Sequence, residues 1–94
     1  MSLKFKGTNN EQFFLDTISF AVLDRNNLFD IYQINSNINS DMILEVAEKD
    51  IDKLIKDILD FMSINPKIRF DTQIHINEFC RWLKRCKGFK TYIV

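Results

Sequence analysis

Residues 67–76 read Lys67-Ile68-Arg69-Phe70-Asp71-Thr72-Gln73-Ile74-His75-Ile76. Ile68, Phe70, Ile74 and Ile76 share one parity with Thr72 between them, and Lys67, Arg69, Asp71, Gln73 and His75 share the other. Alternation sustained over such a stretch is the period of a strand with one dry face and one wet face. Read so, residues 67–76 organise a sheet, and the flanking segments supply whatever covers its dry side.

Upstream, residues 2–7 alternate Leu3 and Phe5 with Lys4 and Lys6, a short strand ending at Gly7. Thr8, Asn9 and Asn10 then offer helix N-caps, and Glu11 suits a first helical turn. Phe14, Leu15, Ile18, Ala21 and Val22 keep spacings of three and four, which predicts a helix over 11–25 broadened by Phe13, Phe20 and Leu23. Ile18, Phe20 and Val22 also alternate ahead of Asp24-Arg25-Asn26-Asn27, so half of a hairpin is the competing reading; the helix is preferred.

Residues 28–35 are rich in Phe, Ile and Tyr and suit a strand, with polar turn material over 35–40. Residues 42–48 are either a strand pairing back on 28–35 or the start of a long helix in which Ile43, Ala47, Ile51, Leu54 and Ile58 keep helical spacing. The hairpin is preferred, because the strand at Leu28 otherwise lacks a neighbour in sequence. A helix then opens at Lys49 or Asp50 and runs to Met62 on the stripe Ile51, Leu54, Ile55, Ile58, Leu59 and Met62, and Asn65-Pro66 stops it. Beyond the organising strand, Asn77 caps a third helix with Phe79, Cys80 and Leu83 inward. Lys84, Arg85, Lys87 and Gly88 suit the end of that helix, and residues 89–94 read as a final strand. The predicted order is β-α-β-β-α-β, the split βαβ arrangement of ferredoxin-like α+β folds, with an appended C-terminal helix and strand. That fold hosts many unrelated activities, so the order carries little about function.

The chain has 94 residues, one domain over 1–94, long enough for a single core. With 46% hydrophobic and 28% charged residues its composition is that of a globular protein. Two glycines leave no Gly-rich phosphate loop, so no cofactor is predicted. Cys80 and Cys86 fall about 120° apart on a helix, too far round to bridge each other. They read as free thiols in a reducing compartment. The sequence shows no charged-then-apolar leader and no apolar run near the ~20 residues of a membrane span, so the expected location is cytoplasmic and no membrane is expected as a partner.

His75 is the only histidine, and no Ser or Cys stands at a spacing that makes it a general base, so it reads as a surface imidazole. His75, Cys80 and Cys86 match no common zinc spacing and lack a fourth ligand. Between Asp41 and Asp60, seven acids face three lysines, a net of −4; between Glu78 and Val94, Arg81, Lys84, Arg85, Lys87 and Lys90 oppose Glu78, a net of +4. The total charge is zero, so the segregation itself is the informative feature: opposed patches steer association with a charged partner or pair with each other. The residues 42–48 lack the Gly and aromatic pattern of RNA-recognition sheets.

These features predict a small binding protein rather than an enzyme. The concrete form is an inhibitor or immunity protein, an antitoxin type that covers the active site of a toxin or enzyme by charge-complementary contact. Asp52, Asp57 and Asp60 are the candidate residues for a basic partner. Arg81, Trp82 and Arg85 are the candidates for an acidic one, Trp and Arg being frequent hot-spot types. The alternative is a nucleic-acid-associated regulator using Arg81, Lys84, Arg85 and Lys87. A small enzyme centred on His75 comes third.

Overall fold

A computed structural model describes residues 3–32 and 42–93. The elements are β1 (Leu3–Gly7), β2 (Gln12–Leu15), α1 (Thr17–Arg25), a 3-10 turn (Asp30–Tyr32), β3 (Met42–Val46), α2 (Glu48–Ile64), α3 (Phe70–Cys86) and β4 (Phe89–Ile93). The strands form one antiparallel sheet in the order β2-β1-β4-β3. The first and last strands are therefore paired at its centre. The domain is α+β, but the element order is ββαβααβ, not the β-α-β-β-α-β order with an appended helix and strand.

The largest correction falls on residues 67–76. They form no strand: Phe70 opens α3, and Lys67–Arg69 lie in the α2–α3 turn. The longer period decides it. Thr72, Ile76, Phe79, Cys80, Leu83 and Cys86 repeat at helical spacing, and all are buried. A seventeen-residue helix that buries such a stripe outweighs a local alternation, whose members Phe70 and Ile74 are left 76% and 40% exposed. Asn77 is therefore inside the helix rather than its cap.

The predicted helix over 11–25 divides. Asp16 interrupts it: its Oδ2 accepts the Ser19 backbone N–H at 3.1 Å, the N-cap that starts α1. The residues before it become β2, which returns on β1 with Phe13 opposite Phe5 and Leu15 opposite Leu3. Thr8, Asn9 and Asn10 form the loop of this hairpin instead of capping a helix start. They act at a helix end: the Thr8 hydroxyl reaches Lys87 O at 2.7 Å, and Asn9 Nδ2 donates to Arg85 O at 2.7 Å, satisfying the last carbonyls of α3.

Leu28 and Phe29 belong to a turn and Asp30–Tyr32 to a 3-10 helix, so no strand forms at 28–32; residues 33–41, with the expected turn, lie outside the described part. Residues 42–46 are a strand as expected, yet their partner is β4, with a bulge between Met42 and Leu44. α2 keeps most of its predicted stripe: Ile51, Leu54, Ile55 and Ile58 are buried and Met62 is half-buried, but Leu59 is 45% exposed, and Asn65 and Pro66 follow the helix end.

All three helices bury residues in one cluster with Leu3, Phe5, Leu15, Leu44, Val46 and Phe89 of the sheet. Aromatic rings fill its middle. Phe5 meets Phe79 edge-on at 4.8 Å, and Phe13, Phe79 and Phe89 each lie within 6.2 Å of Trp82. Lys4, Lys6, Gln12, Phe14, Glu45 and Lys90 take the opposite parity and face away from this core, as antiparallel sheets with one solvated face allow.

Candidate binding surfaces

The antiparallel hairpin of α2 and α3 carries most of the residues singled out by charge. Their placement divides them. Trp82 is 2% exposed and packed among the core rings, so it is not available to a partner. The reason is rotational: on α3, position 82 lies on the side of Phe79 and Cys86, whereas 81 and 85 face out. Arg81 and Arg85 are exposed, and Arg85 Nε sits 3.4 Å from Glu11 Oε2.

Lys84 and Lys87 come beside the start of α2. With Glu48, Ile51, Asp52 and Leu83 they line a groove of about 260 Å³. The acidic and basic segments thus meet inside the molecule at this end, where carboxylates favour the N-terminus of α2 and cations the C-terminus of α3. Asp57 is tied to Lys53 at 3.1 Å. Asp60 stays exposed and, at spacings of three and four, shares a face with Asp57 and Ile64.

The far end of the hairpin differs in character. Ile64 closes α2 and Phe70 opens α3, and they are 77% and 76% exposed. Ile74 follows Phe70 one turn on. The outward stripe of α3 therefore reads Phe70, Ile74, Arg81, Arg85. Its apolar half escaped the sequence reading, because a strand parity had sent Phe70 and Ile74 inward.

His75 lies at the junction of α3 with β2 and α1. Its Nδ1 is 2.9 Å from Asp16 Oδ1. That hydrogen bond raises the imidazole pKa above its ordinary value. Burial pushes the Asp16 carboxyl up, but its hydrogen bonds from Ser19 and His75 together outweigh this and hold it below the usual value. A recess of about 160 Å³ beside them is lined by Phe13, Phe14, Leu15, Asp16, His75 and Glu78, which include no hydroxyl or thiol for a base to activate. Cys80 and Cys86 are buried free thiols; burial pushes Cys80 to about 11, far from a reactive thiolate. Among the described residues no cluster of three His, Cys, Asp or Glu side chains can hold a metal ion, and no helix is long and apolar enough to cross a membrane.

The second surface is the open face of the sheet, which the charge reading passed over. Register sets two rows across it: Phe14, Lys4 and Tyr92, then Gln12, Lys6, Lys90 and Glu45. The alternation of Leu3-Lys4-Phe5-Lys6 signalled the β1 part of this face. Only the pairing of β1 with β4 reveals that Lys6 and Lys90 are directly opposed.

The fold and these surfaces define a small α+β domain with a helical hairpin and a sheet face that no described element covers. No known protein family, curated protein or solved structure matches the chain.

Proposed function

We propose that this protein is a non-catalytic protein-binding domain of the inhibitor or immunity type, which neutralises a toxin or enzyme by covering its active site. Its docking surface is the α2–α3 hairpin. One observation carries the reading: two apolar side chains that a monomer gains nothing by exposing, Phe70 and Ile74, stand on one helical stripe with Arg81 and Arg85. Apolar anchors bordered by charge are how protein interfaces are built, and aromatic and Arg residues dominate their energetics. Ile64, with Asp57 and Asp60 on its face, extends the surface across the turn and orients a partner by charge. Such a protein works in the cytoplasm, where Cys80 and Cys86 remain thiols.

A nucleic-acid reading of α3 has less support. Trp82 is withdrawn into the core, Arg85 is engaged by Glu11, and Lys84 and Lys87 face Glu48 and Asp52 across a groove.

The experiment uses the purified domain as bait in an extract of its native host. It is expected to retain one stoichiometric protein. Phe70→Ala/Ile74→Ala bait, folded as judged by circular dichroism, is expected to lose it, since interface anchors contribute about 2 kcal/mol or more each. Equal recovery by both baits, or no recovery by either, refutes the assignment.

A further inference from the structure

On the open face of the sheet, the geometry points to a binding platform for single-stranded nucleic acid, separate from the helical hairpin. Three lysines from two central strands converge there. Lys6 and Lys90 occupy directly opposed positions and Lys4 lies two residues along from Lys6. Like charges facing each other across a ladder destabilise a sheet. Among the described residues the only carboxylate relieving them is Glu45, 3.8 Å from Lys90. Elsewhere three cations are paired: Lys53 with Asp57, Arg69 with Asp71 and Arg85 with Glu11. The open face therefore holds concentrated positive charge that folding does not use.

The aromatic residues decide which anion fits. Phe14, 60% exposed, and the half-buried Tyr92 flank Lys4 in one row, two strands apart and so about 10 Å from each other. The row of Lys6 and Lys90 runs parallel to it, about 7 Å along the strands. Rings in one row and cations in the next match a strand whose bases stack while its phosphates follow the charge. A duplex hides its bases from such rings. An acidic protein would satisfy the lysines but leaves the rings without a role. A recess of about 320 Å³, lined by Lys6, Thr8, Asn10, Lys90 and Tyr92 beside Gly7, ends the platform where the β1–β2 loop rises.

The probe is a fluorescein-labelled oligothymidylate, read by anisotropy at low salt. The wild-type protein is expected to bind it in preference to duplex of equal length. Affinity is expected to fall with a log–log salt slope of about −2, for three phosphate contacts on a single strand. Lys4→Gln/Lys6→Gln/Lys90→Gln is expected to abolish binding. Phe14→Leu/Tyr92→Leu, which keeps apolar bulk but removes the rings, is expected to weaken it about tenfold or more. Arg81→Gln/Arg85→Gln, which alters the hairpin, is expected to leave it unchanged. Circular dichroism and thermal melts confirm that each variant is folded. Absence of binding at low salt overturns the proposal. So does full binding by the triple lysine variant, or loss only in the α3 variant. Binding of poly-glutamate as tight as that of oligothymidylate, with no effect of losing the rings, overturns it in favour of an acidic protein partner.

Discussion

The side chain of the chain's single histidine is bonded across two elements. His75 on α3 reaches Asp16, and Asp16 in turn caps α1. The histidine pKa is raised, first by the hydrogen bond to Asp16, which outweighs desolvation, and further by the charges of Asp16, Glu78 and Asp71. A group charged more readily in the folded state stabilises that state below its unfolded pKa, and the gain vanishes as pH rises through the folded value. For His75 the gain is complete below 6.5 and fades above it. Asp16, with a lowered pKa, gives the opposite limb: its gain is present above 3.8 and fades as pH falls through the lowered value. Thermal stability is therefore expected to decline above neutrality, and His75→Gln is expected to flatten that decline and to weaken the acidic limb as well, because His75 helps to hold the Asp16 pKa down. Melting temperatures of both proteins across this range check it; parallel curves would show that the pair contributes nothing.

Elements were legible wherever one period dominated a segment. α2 carries a single helical stripe between a charged start and Asn65-Pro66, and its identity and approximate ends follow from that. β1 alternates cleanly, and β4 is rich in aromatic and β-branched residues that suit a strand. Two segments support both periods, and there local pattern failed. Residues 67–76 alternate by chance, because Phe70 and Ile74 sit on an exposed stripe while Ile76 joins the buried one. Residues 11–25 hide a strand and a helix under one run of spacings, and the switch depends on the Asp16 side chain. The same ambiguity concealed the candidate hairpin surface: Arg81 and Arg85 were visible as charge, but the exposure of Phe70 and Ile74 needed the correct element. Gly88 tests the junction between elements. It follows Lys87, which is left-handed at φ 54°, and itself has φ 95°. A Cβ there would lie 3.0 Å from Val46 O and from Glu48 N, which are backbone atoms rather than the end of a flexible side chain. Gly88→Ala is expected to destabilise the protein by about 1–2 kcal/mol, through left-handed strain and displacement of the β3–α2 connection. Urea unfolding measures the loss, and an unchanged midpoint would mean that the connection adapts freely.

At the scale of the molecule, charge is sorted by layer as well as by sequence. The balance of thirteen acids and thirteen basic residues conceals a helical layer in which opposite charges meet, at the groove between α2 and α3 and in the pairs around it. It also conceals a sheet whose open face carries three lysines, Lys4, Lys6 and Lys90, against the one carboxylate of Glu45 among the described residues. Sequence segregation left open whether the acidic and basic segments meet a partner or pair with each other; the antiparallel hairpin brings part of them together. The open face depends on pairing strands from the two ends of the chain, a relation no local pattern contains. Lys90 has Glu45 opposite it on β3 but Lys6 opposite it on β1, where a second acid would favour the sheet. Lys6→Glu makes that exchange. It is expected to stabilise the domain by about 0.2–1 kcal/mol, the range for cross-strand charge pairs, and at the same time to remove single-strand binding. Opposite changes in stability and affinity from one substitution identify charge held for a ligand. A variant that loses stability with its affinity would instead show that Lys6 is needed for the sheet, and the platform would lose its main support.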